Sequence, residues 1–596
     1  MELPLLNEIP TTREIIDAFG GYNRNLRIKE GEFYDMKNLT STDYPVLSPR
    51  TQRGEYNIRA TKNPQSMIEK DTLCYVDCVT PDHLEGARFY IAGEEIEDFT
   101  LSSMPNDCPK TLVSMGAYVI IMPDKKYINT QDYSDKGNIE ATLETSGSTS
   151  FELCKIDGSA YKDAPAQDTA PENPKDMDLW LDTSSIPNSL KQYSTTNSMW
   201  VSIATTYIKI TFTGVSKLPF SAGDGITIWG IDNKELSDLN STMVIQEVGT
   251  NYIVVIGILK SKITITEKIY IERRMPKMDF IIESENRLWG CRYGIDNNGN
   301  VVNEIYASKL GDFKNWNTFA GISTDSYVAT VGTDGQFTGA ITHLGYPIFF
   351  KENCMHKVYG NFPSNYQIQT THCRGVQEGS SKSLVIVNEV LYYKSRSAIC
   401  MYDGSLPLEI SAALGDMSYS DAVAGTIRNK YYISMTDING EYHLFVYDTK
   451  RGLWHREDNT RVIDFCACRG ELYYIERITE GKTKLKTILG SGIPDDTPIS
   501  WMAESGVIGT NLPDKKYISR LDVRMKLTVG TRVYFYVEYD SCGKWEHLFT
   551  MTGIKLQSFA VPIRPRRCDH LRIRIEGDGE AKIYSICKTI EQGSDI

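Results

Sequence analysis

Apolar and polar side chains alternate along most of this chain in short runs, and turn residues separate the runs. The stretch from Lys430 to Glu457 gives the pattern most fully. Tyr431, Tyr432 and Ile433 open one run, Asp437, Asn439 and Gly440 interrupt it, and a second run leads from Tyr442 to Tyr447. A further turn, Asp448 to Gly452, delivers Trp454. Alternation bounded by Gly, Asn and Asp predicts antiparallel hairpins, because successive strand residues point to opposite faces and these three residues tolerate the tight return.

The unit recurs. Openings of the same kind stand at Leu288, Ile348, Leu391, Tyr431 and Leu472, at intervals of roughly 40 to 60 residues, the range for propeller blades. Three carry a similar second half: IYASKLGDFKNWN, AICMYDG and LFVYDTKRGLW. The unit resembles one blade of a kelch-like β-propeller, in which the aromatic after the second hairpin fills the space between blades. A sheet this small cannot bury both faces alone, so several copies are expected to close into a ring. An open β-sandwich with accidental spacing is the alternative.

Composition shifts divide the rest. Residues 1–55 predict an extended arm, broken at Gly20 and Gly21, turned at Glu30 and Gly31 and stiffened by Pro45 and Pro49. Residues 56–149 hold the first blades, Asp71 to Leu101 and Lys110 to Leu143. Residues 150–275 predict inserted small β modules, entered through the Pro- and acid-rich run from Tyr161 to Trp180. There a strand with Trp180 is joined through Pro187 to one ending at Trp200, and Ile208 to Arg273 reads as a small barrel. Residues 276–490 hold the remaining blades, and residues 491–596 predict a C-terminal β-sandwich. The expected fold is all-β: a β-propeller with an inserted small β module and a C-terminal β-sandwich. The last blade, around Leu472, is short of strands, so the arm is expected to supply one or to dock on a neighbour.

At 596 residues the chain exceeds one ordinary core. Its net charge of −13 provides no basic stripe for nucleic acid, so contact with DNA is expected to be local or repulsive. The 13 cysteines form no CxxC pair and read as small buried hydrophobes made in a reducing place. The N-terminus carries acids where a signal peptide is basic, and no apolar run approaches the ~20 residues of a membrane span. Synthesis in the cytoplasm and no membrane contact are expected.

Motifs of chemistry are sparse. The sequence has no GxxxxGK[ST], HExxH or GxSxG. His372 beside Cys373, and Cys354 two before His356, are ligand types at poor spacing, so no metal and no cofactor are expected. Asp312, Asp334 and Asp403 are the carboxylates a propeller glycosidase would recruit. Each adjoins a glycine, however, and that pair is what a tight turn requires. The turn SKLGDFKNW, Ser308 to Trp316, is only distantly similar to the repeated sialidase turn. The expectation is therefore a protein that is not an enzyme, without catalytic, cofactor-binding or metal residues. Arg564, Arg566, Arg567, Arg572 and Arg574 cluster near the C-terminus, as a guarded edge strand or a phosphate- or protein-contacting patch.

The arm from Asp17 to Gly54, with FGGYNRNLRIKEGEFYDMKNLTSTDYPVLSPR, resembles the opening of the packaged-DNA stabilisation or tail-hub (nozzle) proteins of tailed bacteriophages. IYASKLGDFKNWNTF is similar to a second element of that family, a strand, a Gly-Asp turn and an Asn-Trp pair. The resemblance implies a structural virion protein forming a ring in the portal-proximal tail, which retains packaged DNA and conducts it at ejection. It also implies a homo-oligomeric ring, a hexamer, partnered by portal or head-to-tail adaptor proteins and other tail proteins, with transient, non-specific passage of double-stranded DNA. A receptor- or carbohydrate-binding propeller at the tail tip, with exposed Trp and Tyr stacking on sugars, is the alternative.

Overall fold

The computed structural model describes residues 11–56, 61–78, 86–102, 110–162, 164–496, 498–510 and 515–592. The fold is all-β, a propeller carrying an inserted β module and a C-terminal β-sandwich.

Among the described residues the propeller has seven antiparallel sheets. Blade 1 runs from Pro64–Lys70 to Glu94–Leu101 and blade 2 from Thr111–Met115 to Lys136–Asn138. Blade 3 runs from Phe280–Ser284 to Tyr327–Thr330, and blade 4 from Gly339–His343 to Gln367–His372. Blade 5 runs from Val385–Val387 to Leu408–Glu409, and blade 6 from Tyr419–Ile427 to Leu453–Asp458. Blade 7 contributes Val462–Cys468, Glu471–Thr479 and Lys482–Thr487 from its own segment. Its next strand is Gly54–Glu55, from the N-terminal arm, paired antiparallel to Lys486 and Thr487.

Each pair of adjacent blades shares one apolar core. Blades 1 and 2 bury Val76 and Phe89 against Val119 and Ile121, and blades 2 and 3 bury Val113 and Tyr127 against Leu288 and Trp316. Blades 3 and 4 meet at Trp289 and Phe349, blades 4 and 5 at Phe350 and Tyr393, and blades 6 and 7 at Val446 and Tyr474. The series closes on itself, because Met67 and Tyr75 of blade 1 pack with Ile463 and Ile475 of blade 7. Met67 N–H also donates to Asp464 across that seam at 2.8 Å. Both faces of every sheet are thus covered without a second chain.

Ala141–Glu144 alternates like a blade strand, but it belongs to the insertion. It pairs with Tyr270–Arg273 at one end of an eight-stranded sheet curled round a single core of Phe151, Ile210, Phe212, Ile226 and Ile271. The second blade therefore ends before the expected Leu143. A small separate sheet, Ala166–Gln167 to Met199–Ser202, projects from this module between two of its strands.

The C-terminal sandwich takes strands from both ends of the chain. One sheet orders Thr11–Ile16, Ala581–Gln592, Lys516–Leu527 and Leu556–Val561. The other places Gly21–Tyr22 and Glu32–Lys37 beside Ser500–Ser505, Leu571–Asp578, Arg532–Tyr539 and Glu546–Thr552. Its core continues through Phe33, Met36 and Tyr22 of the arm into Phe445 and Trp454 of blade 6, and on to Tyr392 of blade 5. Trp454 spans the gap between blades, and its indole N–H donates to Ile410 O at 2.7 Å.

Candidate functional site

A polar cleft of about 660 Å³ opens where blade 2, a long loop of blade 3 and the inserted module meet. One wall is Tyr118, Tyr127, Asn138 and Glu140, the second is the 219–224 turn with Arg273, and the third is Gly311 to Lys314. The SKLGDFKNW turn builds that third wall. Asp312 accepts from Lys314 N–H at 3.0 Å and from the Asn315 side-chain amide at 2.5 Å. Asn315 reaches onward to Asp224 at 2.9 Å and accepts from Gly225 N–H at 2.8 Å. Asp224 is ion-paired with the buried Arg273, whose guanidinium also donates to Ile139 O. Asn315, oriented by Asp312, thus clamps the inserted module to the propeller.

Aromatic rings back the cleft. Phe313 packs between Tyr118 and Tyr127, with centroids 5.0 and 5.2 Å away, and Tyr118 is the half-exposed member. Its phenol donates to Asp135 at 2.7 Å, and that bond, with burial adding, pushes its pKa up to about 12. Lys314 Nζ donates to the Tyr127 hydroxyl at 3.0 Å and lies over its ring. Glu140 is held by Lys125 at 2.7 Å. The walls present donors and acceptors already fixed in place, next to an aromatic face.

The residues singled out in the sequence take other places. Asp403 sits in an exposed turn of blade 5, accepting from the N–H and hydroxyl of Ser405, and Asp334 is exposed between blades 3 and 4. The three glycine-flanked carboxylates thus lie in three separate parts of the ring. His356 is buried with both ring nitrogens engaged, by Thr333 and Thr370 at 2.9 Å each. Burial, and then the charge of Lys351, lower its pKa to about 4, so it is neutral. Cys373 is pushed up to about 11 by burial. Arg572 and Arg574 pair with Glu504 at 2.6 and 2.7 Å and stack on Trp545, which makes them part of the sandwich's own surface. Arg566 pairs with Glu546 at 2.9 Å. Of the tryptophans only Trp229 is exposed, stacked face to face on Tyr270 at 3.9 Å.

Two groups escaped the sequence reading. Asp437, Glu441 and His443 bring three ligand-type atoms within 4.8 Å. Their capacity is partly spent, since Asp437 accepts from Asn439 and Glu441 N–H and His443 Nδ1 accepts from Arg456. The second group is a buried ion network. Arg53 meets Glu457 at 2.6 Å and Asp458 at 2.8 Å, and Arg50 meets Asp496 at 2.6 Å. Nothing local marks it, because its partners stand about 400 residues apart in a chain whose periodicity reports only near neighbours.

No family model and no curated protein matches this chain. Solved structures that it resembles include an exo-β-1,3-galactanase from Phanerochaete chrysosporium with galactose, at 11% identity over 52% of this chain and 94% of that one, with a TM-score of 0.21. The extracellular domain of a hybrid two-component system from B. thetaiotaomicron is similar at 10% identity over 94% of this chain and 99% of that one, TM-score 0.24. Trypanosoma rangeli sialidase in complex with sialic acid is similar at 9% identity over 97% of this chain and 95% of that one, TM-score 0.21. The expectation that the chain is not an enzyme is corrected by these matches: two of the three are enzymes, and the exclusion is withdrawn. At such scores they carry neither a site nor a substrate to this chain.

Proposed function

We propose that this chain is a structural protein of a tailed-bacteriophage virion, forming a homo-oligomeric ring in the portal-proximal tail that retains packaged DNA and conducts it at ejection. The observation that carries the reading is the way the arm is used. The segment that resembles the nozzle proteins, Asp17 to Gly54, runs through the sandwich core, along blade 6 and into blade 7 as a strand. A propeller closed within one chain offers no sheet face for assembly, so copies meet through the appended modules. Those modules leave large apolar side chains in solvent: Met177, Ile186, Met199 and Val201 on the small inserted sheet, Val529 and Ile554 on the sandwich. The net negative charge suits a conduit that DNA slides along without sticking.

The test is localisation in purified virions. Antibody against the full chain is expected to label the portal-proximal tail, and virions lacking the protein are expected to lose DNA after packaging. Its absence from virions overturns the reading.

A further inference from the structure

We propose that the cleft between blade 2, the Gly311 to Lys314 turn and the inserted module is a binding site for a short neutral saccharide. Its volume of about 660 Å³ lies within the roughly 300–1,000 Å³ of small-ligand pockets. Its walls come from three separate segments that the fold locks together through Asn315, Asp224 and Arg273. Locked walls lose little freedom when a ligand arrives, which favours binding.

The lining selects the ligand class. Three carboxylates, Asp312, Glu140 and Asp224, face it against two cations, Lys314 and Arg273. Lys125 offsets Glu140 and Arg273 offsets Asp224, so a phosphate or a nucleic-acid strand finds no surplus of positive charge there. A purely apolar ligand would strip water from those polar groups without replacing their hydrogen bonds. A sugar hydroxyl both donates and accepts, so it matches carboxylate, amide and ammonium partners at once. The half-exposed ring of Tyr118, backed by Phe313, gives an aromatic face for the apolar side of a pyranose.

This inference does not depend on the place of the protein in a tail. Loss of sugar binding leaves a ring intact, and a monomeric protein still binds. The experiment uses the full chain with malto-, cello-, galacto- and xylo-oligosaccharides, read by saturation-transfer NMR and titration calorimetry, with sialyllactose and inorganic phosphate as charged controls. At least one neutral oligosaccharide is expected to bind with millimolar or tighter Kd, and the charged controls more weakly. Thr142→Trp and Ala222→Trp place an indole in the cleft from exposed positions. Each is expected to weaken binding by about tenfold or more at unchanged Tm. Asn138→Ala only shortens an exposed side chain and gives a second reading should an indole not be accommodated. No binding of any neutral saccharide, or binding that survives all three substitutions, overturns the proposal.

Discussion

Arg53 and Arg50 together hold a cluster of three carboxylates, Glu457, Asp458 and Asp496, and Arg53 is the more deeply buried of the two. The Arg53 guanidinium meets two carboxylates of blade 6 while its backbone N–H donates to Asp496 at 2.9 Å. Burial raises the Asp458 pKa, but the charges of Arg53 and Arg50 and its bonds to Thr460 outweigh it and hold the group below the usual carboxylate range. Arg53→Met leaves Glu457 and Asp458 only the longer contacts to Arg50, 3.6 and 3.8 Å, so a loss of about 3–5 kcal/mol is expected in urea unfolding. The double variant Arg53→Met/Glu457→Gln should recover part of it, and a single variant as stable as the parent would show that the network adds nothing. Two buried histidines contribute to the pH response. Burial pushes His455 down to about 3 and His356 to about 4, against about 6.5 in an unfolded chain. Below pH ~6.5 the unfolded chain takes up protons that the native state refuses, so their stabilisation is present above that pH and is lost as pH falls towards 4 and 3. Tm is expected to fall on acidification from pH 6.5, and His356→Gln to flatten the fall even though it lowers Tm at pH 7. An equal slope in the variant would remove His356 from the account.

At the scale of elements, the second strand of each blade was the legible one. Leu288, Ile348, Leu391, Tyr431 and Leu472 all fall in second strands, which are sandwiched between neighbouring blades and therefore read as strong apolar runs. The outer strand of blade 5 was illegible because it is short and wet: Leu408–Glu409 has two exposed residues. Gly54–Glu55 is shorter than any periodicity can mark, yet it fills the open edge of blade 7. Gly54 is irreplaceable there for a steric reason. A Cβ would stand 2.1 Å from Ser491 O and 2.7 Å from Thr487 Oγ1, well inside van der Waals contact. Gly54→Val is expected to expel the strand, speeding amide exchange across Lys482–Thr487 and lowering Tm, while blades 3 and 4 keep their protection. Removing residues 1–50 leaves Gly54–Glu55 in the chain but takes away three sandwich strands, so a sharply lower Tm or aggregation is expected. An unchanged melting curve would show that these pairings contribute nothing to stability.

For the whole molecule, the fold class was readable and the cleft was not. Hairpins are local, so alternation reports them. The cleft instead joins residues near 140, 220 and 312, and only the Asp312 turn stood out, as a turn. Net charge, which is a property of the whole chain, leads to a last prediction. A ring brings copies of charge −13 together, and their mutual repulsion acts over a Debye length of about 30 Å at 0.01 M salt but only about 3 Å at 1 M. If apolar side chains such as Ile186 and Val529 make the contacts, added salt screens the repulsion and leaves the burial untouched. Sedimentation velocity should therefore show stronger self-association in high salt than in low. Weaker association in high salt would instead assign the contact to opposite charges, such as the acidic run from Tyr161 to Trp180 of one copy against the Arg564 to Arg567 turn of the next. A chain that stays monomeric at both salt levels would end the ring reading altogether.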